Sequence, residues 1–325
     1  MQLSVIICTH NPRPDYLRQT LDALRTQTLP KELWELLLID NASKDPLADK
    51  WDLSWHPNAR CLHESRIGKT HAMLVGIAES IGENIVVVDD DNILGPDYLS
   101  KAAHLTLSHT WVGAFGGNII GEFEVEPATW VKKWLPMIAV VNVEHEEWTL
   151  GFGTKALYST PCGAGMVIRR NIANYYAEMT YKDPLRRDLD RKGASLVSGG
   201  DTDMALCACA LGFAVGRFPQ LQMKHLIPEG RLKLDYLLRM AEGQSFSGAI
   251  LQFIWEGKSP NLGKLCRSER LYRAYRSFRH RLRNRNQPDT ADEFRSAFDR
   301  GLLAAAQFLE SYRSDPSNSS ICFPI

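Results

Sequence analysis

The 325-residue chain has no CxxC pair, and its seven cysteines, from Cys8 to Cys322, are scattered and odd in number. That pattern argues against a zinc knuckle and against a disulfide framework. No apolar run reaches the roughly 20 residues that a membrane-spanning helix needs. The opening "MQLSVIICTHN" lacks a basic region ahead of its short apolar run, so it reads as a strand rather than a secretory signal. These lacks point to a reducing cytoplasm. Internal repeats and low-complexity tracts are missing too. Net charge is also missing, since 38 Lys and Arg offset 38 Asp and Glu. The balance is uneven, however. Nine Lys and Arg stand against Glu269 alone between Asn261 and Arg285, a basic segment of +8 on a body of −8.

What is present is an alternation of strand-like and helix-like segments over about the first 115 residues. "LSVIIC" is a short, mostly apolar run, as expected of a strand covered on both faces, and "WELLLID" reads as a second buried strand, ending in Asp40. "ARCLHE" and "NIVVVDD" read as two more strands. Between them lie helical patterns from Asp15 (Leu17, Leu21, Leu24) and over "KTHAMLVGIAES". Such βαβα order predicts an α/β fold with a mostly parallel, doubly wound sheet, whose ligands sit beyond the carboxyl ends of the strands. The polar clusters "CTHN", "IDNAS" and "VDDDN" each fall at such an end. From residue 116 the pattern loosens, and Trp130, Trp134 and Trp148 follow no period. Beyond it, "CGAGMVIRR" reads as a strand, "GGDTDMALCACALGF" as a loop entering a helix, and "RLKLDYLLRMAEG" as a helix. A last helix is expected from about Asp289 to Tyr312.

The run "VVVDDDN" places Asp89, Asp90 and Asp91 at the end of a buried strand, where like charges repel. A divalent cation relieves that repulsion. If the strand persists, Asp89 and Asp91 share a face and can hold Mg²⁺ or Mn²⁺ together with a diphosphate. The plainer alternative is a solvated Asp-rich turn.

With these segments in place the chain resembles the family 2 glycosyltransferases. "SVIICTHNP", "LLLIDNASKD", "ESRIGKTHAMLVGI", "VVVDDDNILGPDYL", "CGAGMVIRR" and "SGGDTDMAL" occur in the family's order, over about residues 1 to 250. The resemblance implies a GT-A fold, a nucleotide-sugar donor and inversion at the anomeric carbon. It places Thr9, His10 and Asn11 in the first nucleotide-contacting loop, and Asp40 where a carboxylate meets the base, a uracil in many members. A UDP-sugar is therefore the favoured donor. Arg66 and Lys69 are carried over as residues facing the base or diphosphate, with surface charge as their alternative. Asp89 and Asp90 join the donor site, and Asp91, Asp89 and a late histidine, His225, form the metal set. Arg231 is a further candidate to close over the diphosphate. The catalytic base aligns with Asp201, with Asp203 as rival because Gly199 and Gly200 blur the register. Family members often carry Glu before the base, where this chain has Gly200. The plain reading of Asp201 is a helix cap. The QxxRW motif of processive synthases is missing.

The expected division is a GT-A domain over 1–255, split into a nucleotide-binding half (1–115) and an acceptor half (116–255), then a helical appendage over 256–325. In the basic segment Leu271, Tyr275, Phe278 and Leu282 keep an apolar stripe at helical spacing. Such a helix suits an anionic membrane surface at the inner face of the membrane, or docking on the acidic body; no nucleic-acid reading motif accompanies it. The expected activity is sugar transfer to a glycan, a lipid-linked glycan or a polysaccharide precursor. The rivals are a sugar-nucleotide pyrophosphorylase, whose Gly-rich basic loop is missing here, and a non-catalytic glycan-binding protein.

Overall fold

The structure, a computed structural model, describes residues 1–151, 154–191, 195–261, 271, 275 and 290–314. Two compact units divide the chain: Met1–Asp183 with Gly200–Glu229, and Pro184–Gly199 with Gly230–Ile325.

In the first unit the apolar runs become β1 (Leu3–Thr9), β2 (Trp34–Asn41), β3 (Ala59–Glu64) and β4 (Asn84–Val88). They pair in parallel in the order β3-β2-β1-β4. β2 is buried along its whole length, and β1 nearly so, as two-sided coverage by helices requires. Each fully buried Leu, Ile or Val here contributes about 1.5–3 kcal/mol relative to exposure. Helix α1 (Pro14–Arg25) opens on Pro14 at its first turn and buries Tyr16, Leu17, Thr20, Leu21 and Leu24. Helix α2 (Lys69–Glu79) follows Gly68, whose φ of 140° is open to glycine and rare for other residues.

The winding runs outward from β1 through β2 to β3, then returns to β4 on the other side. β1 and β4 therefore flank the topological switch point. Beyond β4 come β5 (Asn92–Leu94), α3 (Tyr98–Ser108), β6 (Val112–Phe123), β7 (Glu147–Leu150), α4 (Thr154–Ser159), β8 (Val167–Arg169) and α5 (Arg170–Lys182). After the α6 turn (Pro184–Arg187), which belongs to the second unit, the first unit resumes with α7 (Gly200–Ala210) and β9 (Ala214–Ile227). The full order is β3-β2-β1-β4-β8-β6-β9-β5, with β7 on β9. β5, β7 and β8 run against the other six described strands. The reading of "CGAGMVIRR" as a strand thus shrinks to Val167–Arg169, because the glycines before it form turns.

The second unit pairs α8 (Leu234–Glu256) with α9 (Thr290–Ser314). Phe246, Ile250, Ala305 and Leu309 form its core with Leu189 and Val197. The basic segment lies outside the described residues except Leu271 and Tyr275, both exposed. Among the described residues no helix is long and apolar enough to cross a membrane.

Candidate active site

At the end of β4 the chain leaves the sheet at once, so the expected alternation of Asp89 and Asp91 gives way to a turn. The Asn92 side chain closes it: Oδ1 accepts the Asp89 N–H at 3.0 Å and Nδ2 donates to Asp91 Oδ1 at 2.9 Å. The three carboxylates separate, each toward a different partner. Asp90 accepts a hydrogen bond from Thr9 Oγ1 across the switch point. Asp91 is buried and pairs with His225 Nε2 at 3.4 Å. The β5–β9 register brings this about by setting Asn92 opposite His225, and the Leu226 N–H donates to the Asp91 carbonyl at 2.9 Å.

Asp89 meets Lys69. The ammonium lies 3.0 Å from Asp89 Oδ1 and 3.3 Å from Asp201 Oδ2, joining β4, α2 and the first turn of α7. All three side chains are partly buried, at 19% exposure for Lys69, 30% for Asp89 and 26% for Asp201. Asp203, by contrast, is fully buried. Gly163 passes so close to Asp201 that an added Cβ would lie 2.0 Å from its Oδ2. Beside both carboxylates sits Cys162, whose thiol is pushed up by burial, with Asp201 and Asp89 adding to the shift and Arg217 opposing it. Among the described residues no group of three or more His, Cys, Asp and Glu side chains is placed to hold a metal ion.

The first loop is tied by hydrogen bonds to the loop after β2. His10 Nδ1–H donates to the Asn41 carbonyl at 2.7 Å, and its Nε2 faces Asn11 Nδ2 at 2.8 Å, which assigns the tautomer. Asn11 adopts φ 49°, donates its N–H to Ser43 Oγ and accepts the Lys44 N–H. Asp40 is only 3% exposed, and its two oxygens accept the N–H groups of Ser43 (2.9 Å) and Leu47 (3.1 Å). Burial alone would raise its pKa, but these hydrogen bonds outweigh it and hold the carboxyl below its ordinary value. Arg66 is held by the buried Glu64 at 2.8 Å. Arg231 belongs to the second unit. Beside the first loop lies a cleft of about 490 Å³ lined by Asn11, Arg18, Ser43, Leu47, Lys50 and Trp51 among others.

Two residues had no signal strong enough to find in the sequence. Asn41 reads as part of a turn, yet its buried side chain donates to the Glu64 and Arg66 carbonyls and accepts the Gly68 N–H, which sets the start of α2. Gly163 reads as one glycine among several; only its nearness to Asp201 distinguishes it.

The sequence model described as "Glycosyl transferase family 2" matches residues 4–173, just over half of the chain. Glycosyltransferase AglE of Haloferax volcanii is 28% identical over 120 residues, a match spanning 36% of this chain and 39% of that relative. Among solved structures, S. aureus TarS 1-349 in complex with UDP aligns with a TM-score of 0.51 at 15% identity, covering 97% of this chain and 92% of that one. Its complex with UDP-GlcNAc aligns at the same TM-score and coverage with 14% identity. At such identities the likeness is one of fold, the GT-A architecture.

Proposed function

The chain belongs to glycosyl transferase family 2, and from that premise we propose that it moves a sugar from a nucleotide-sugar donor to a hydroxyl acceptor with inversion. The observation that carries this reading is the meeting of Lys69, Asp89 and Asp201 at the switch point, with Asp91 and His225 on the adjoining turn and strand. The nucleoside lies in the cleft walled by Asn11, Ser43 and Trp51. Asp40 contributes by shaping that wall, since its own oxygens are engaged by loop amides. Arg66, 58% exposed, stands at the rim.

Asp91 and His225 fit a divalent cation. Their oxygen and nitrogen donors are buried 3.4 Å apart, and Mg²⁺ or Mn²⁺ bound by so few side chains draws its other ligands from phosphate and water. The chemistry such an ion supplies is neutralisation of charge developing on the leaving diphosphate. Lys69 adds a second positive charge for the diphosphate, and Asp89 holds that ammonium in place. Asp201 takes the proton of the acceptor hydroxyl as its oxygen bonds to the anomeric carbon; the bond to the diphosphate breaks on the opposite face, which inverts the centre. Accessibility favours Asp201 over Asp203, which no acceptor reaches at 0% exposure. The acceptor is a glycan, a lipid-linked glycan or a polysaccharide precursor, and the basic segment suits an anionic membrane surface.

The test offers UDP-glucose, UDP-N-acetylglucosamine and GDP-mannose with and without MnCl2 and measures free nucleoside diphosphate. Metal-stimulated release that Asp201→Asn suppresses is expected. Nucleoside triphosphate formed on adding pyrophosphate would instead mark a pyrophosphorylase, and sugar-nucleotide binding with no product a non-catalytic module.

A further inference from the structure

The ammonium of Lys69 lies within 3.3 Å of two carboxylates that have different tasks, one beside the metal-binding turn and one at the head of α7. Its position is set from below. Asn41 Oδ1 accepts the Gly68 N–H at 2.8 Å and fixes the first turn of α2 against β2. The Asp201 end is set from the side, because Gly163 packs against the carboxylate and limits where Oδ2 can turn. A general base must present a lone pair to the acceptor hydroxyl. Here Oδ2 of Asp201 is directed at an ammonium instead.

We infer that Lys69 couples the two halves of the reaction: it masks Asp201 while the donor site is empty and releases it when a nucleoside diphosphate group draws the ammonium away. The inference rests on the reading of Asp201 as base and of the diphosphate as the ligand beside Lys69. A diphosphate carries more negative charge than one carboxylate and bears several acceptor oxygens, so it competes well for the same cation. Asp89, at 3.0 Å, stays as the anchor from which the ammonium swings. Lys69 is on this account a positioning residue, which acts on the acceptor through Asp201. The consequence is an order of events in which the base faces the acceptor only after the donor is bound.

The experiment is a double-variant cycle on the full chain, read as UDP affinity by calorimetry in MnCl2. If Asp201 holds Lys69 back, Asp201→Asn tightens UDP binding roughly 3- to 10-fold, the size of coupling usual between charged groups in contact. In the Lys69→Met background the same Asp201→Asn change leaves UDP affinity unaltered. Equal tightening in both backgrounds would reveal only a general loss of negative charge, and no tightening in either would mean that the bridge does not compete with the donor; each result overturns the inference. Should Lys69→Met fail to fold by circular dichroism, Lys69→Gln takes its place, keeping a donor without the charge. Inorganic pyrophosphate as a second probe must repeat the cycle, since the coupling needs no base. Loss of transfer in Asp201→Asn is read separately, so the base assignment can stand while the coupling fails, or fall by itself.

Discussion

A methyl group at Gly163 has nowhere to go but into Asp201, because the added Cβ would sit 2.0 Å from Oδ2 and 2.1 Å from Cγ. Gly163→Ala is therefore expected to rotate the carboxylate off Lys69 and lower transfer roughly 10- to 100-fold, the scale of an ångström misplacement in an active site. Its melting temperature should stay within a few degrees of the wild type, as the atom that must move ends a side chain. Steady-state kinetics beside a thermal melt checks both. A second prediction concerns Asp40. Its folded pKa lies below the ordinary carboxyl value, so its stabilising effect is complete above about pH 4 and is lost as pH falls through the folded pKa. Asp40→Asn places an NH2 group against an N–H donor and should cost about 1–3 kcal/mol at pH 7. Thermal melts at pH 7 and pH 3 test the sign: the gap between wild type and variant must narrow at the lower pH. At this scale the carboxylates were legible as charges at the end of an apolar strand. The contact of Lys69 with Asp201 was not, because 132 residues separate them and a lone lysine carries no pattern.

Helices and strands divide along similar lines. β1, β2 and β4 were legible because two-sided burial gives each an unbroken apolar run, Val5–Ile7, Leu36–Ile39 and Ile85–Val88. β5 and β8 have three residues each, too few for a period to register, and their direction depends on partners far along the chain. α9 was expected from about Asp289, and among the described residues it runs over Thr290–Ser314. It packs on α8 through Phe246 against Phe308 and Phe253 against Tyr312, and Ser245 Oγ donates to the Phe298 carbonyl at 2.7 Å. Phe246 is 1% exposed, so Phe246→Ala should destabilise this helix pair by about 3–5 kcal/mol, the usual cost of emptying a buried Phe site. Urea unfolding followed by circular dichroism measures it. An unchanged midpoint would mean that α8 and α9 do not depend on each other.

For the molecule as a whole, a formal charge of zero hides a segment of +8. Each basic residue near an anionic surface contributes on the order of 1 kcal/mol, within a screening length of about 10 Å at 0.1 M salt. The full chain should therefore sediment with phosphatidylserine-containing vesicles at low salt, leave them as salt rises, and ignore purely zwitterionic vesicles. A chain cut after residue 260 should bind neither. If the full chain shows no binding at low salt, the segment serves the protein's own acidic surface.

The sheet order also bears on how the protein is made. Among the described strands, β5 and β7 pair with β9 alone, and β6 with β9 and β8. β9 ends at Ile227, 133 residues after β5 ends at Leu94. At a synthesis rate of about 5–20 residues per second, the nascent chain waits roughly 7 to 27 seconds for that strand. Until then the edge of β6 is open, and pairings this distant in sequence form slowly. His225 and Asp201 both emerge late in that interval. The unfinished chain, which can already wind β1 to β4 and carries Asp91, thus lacks both His225 and the candidate base until the last strand is made.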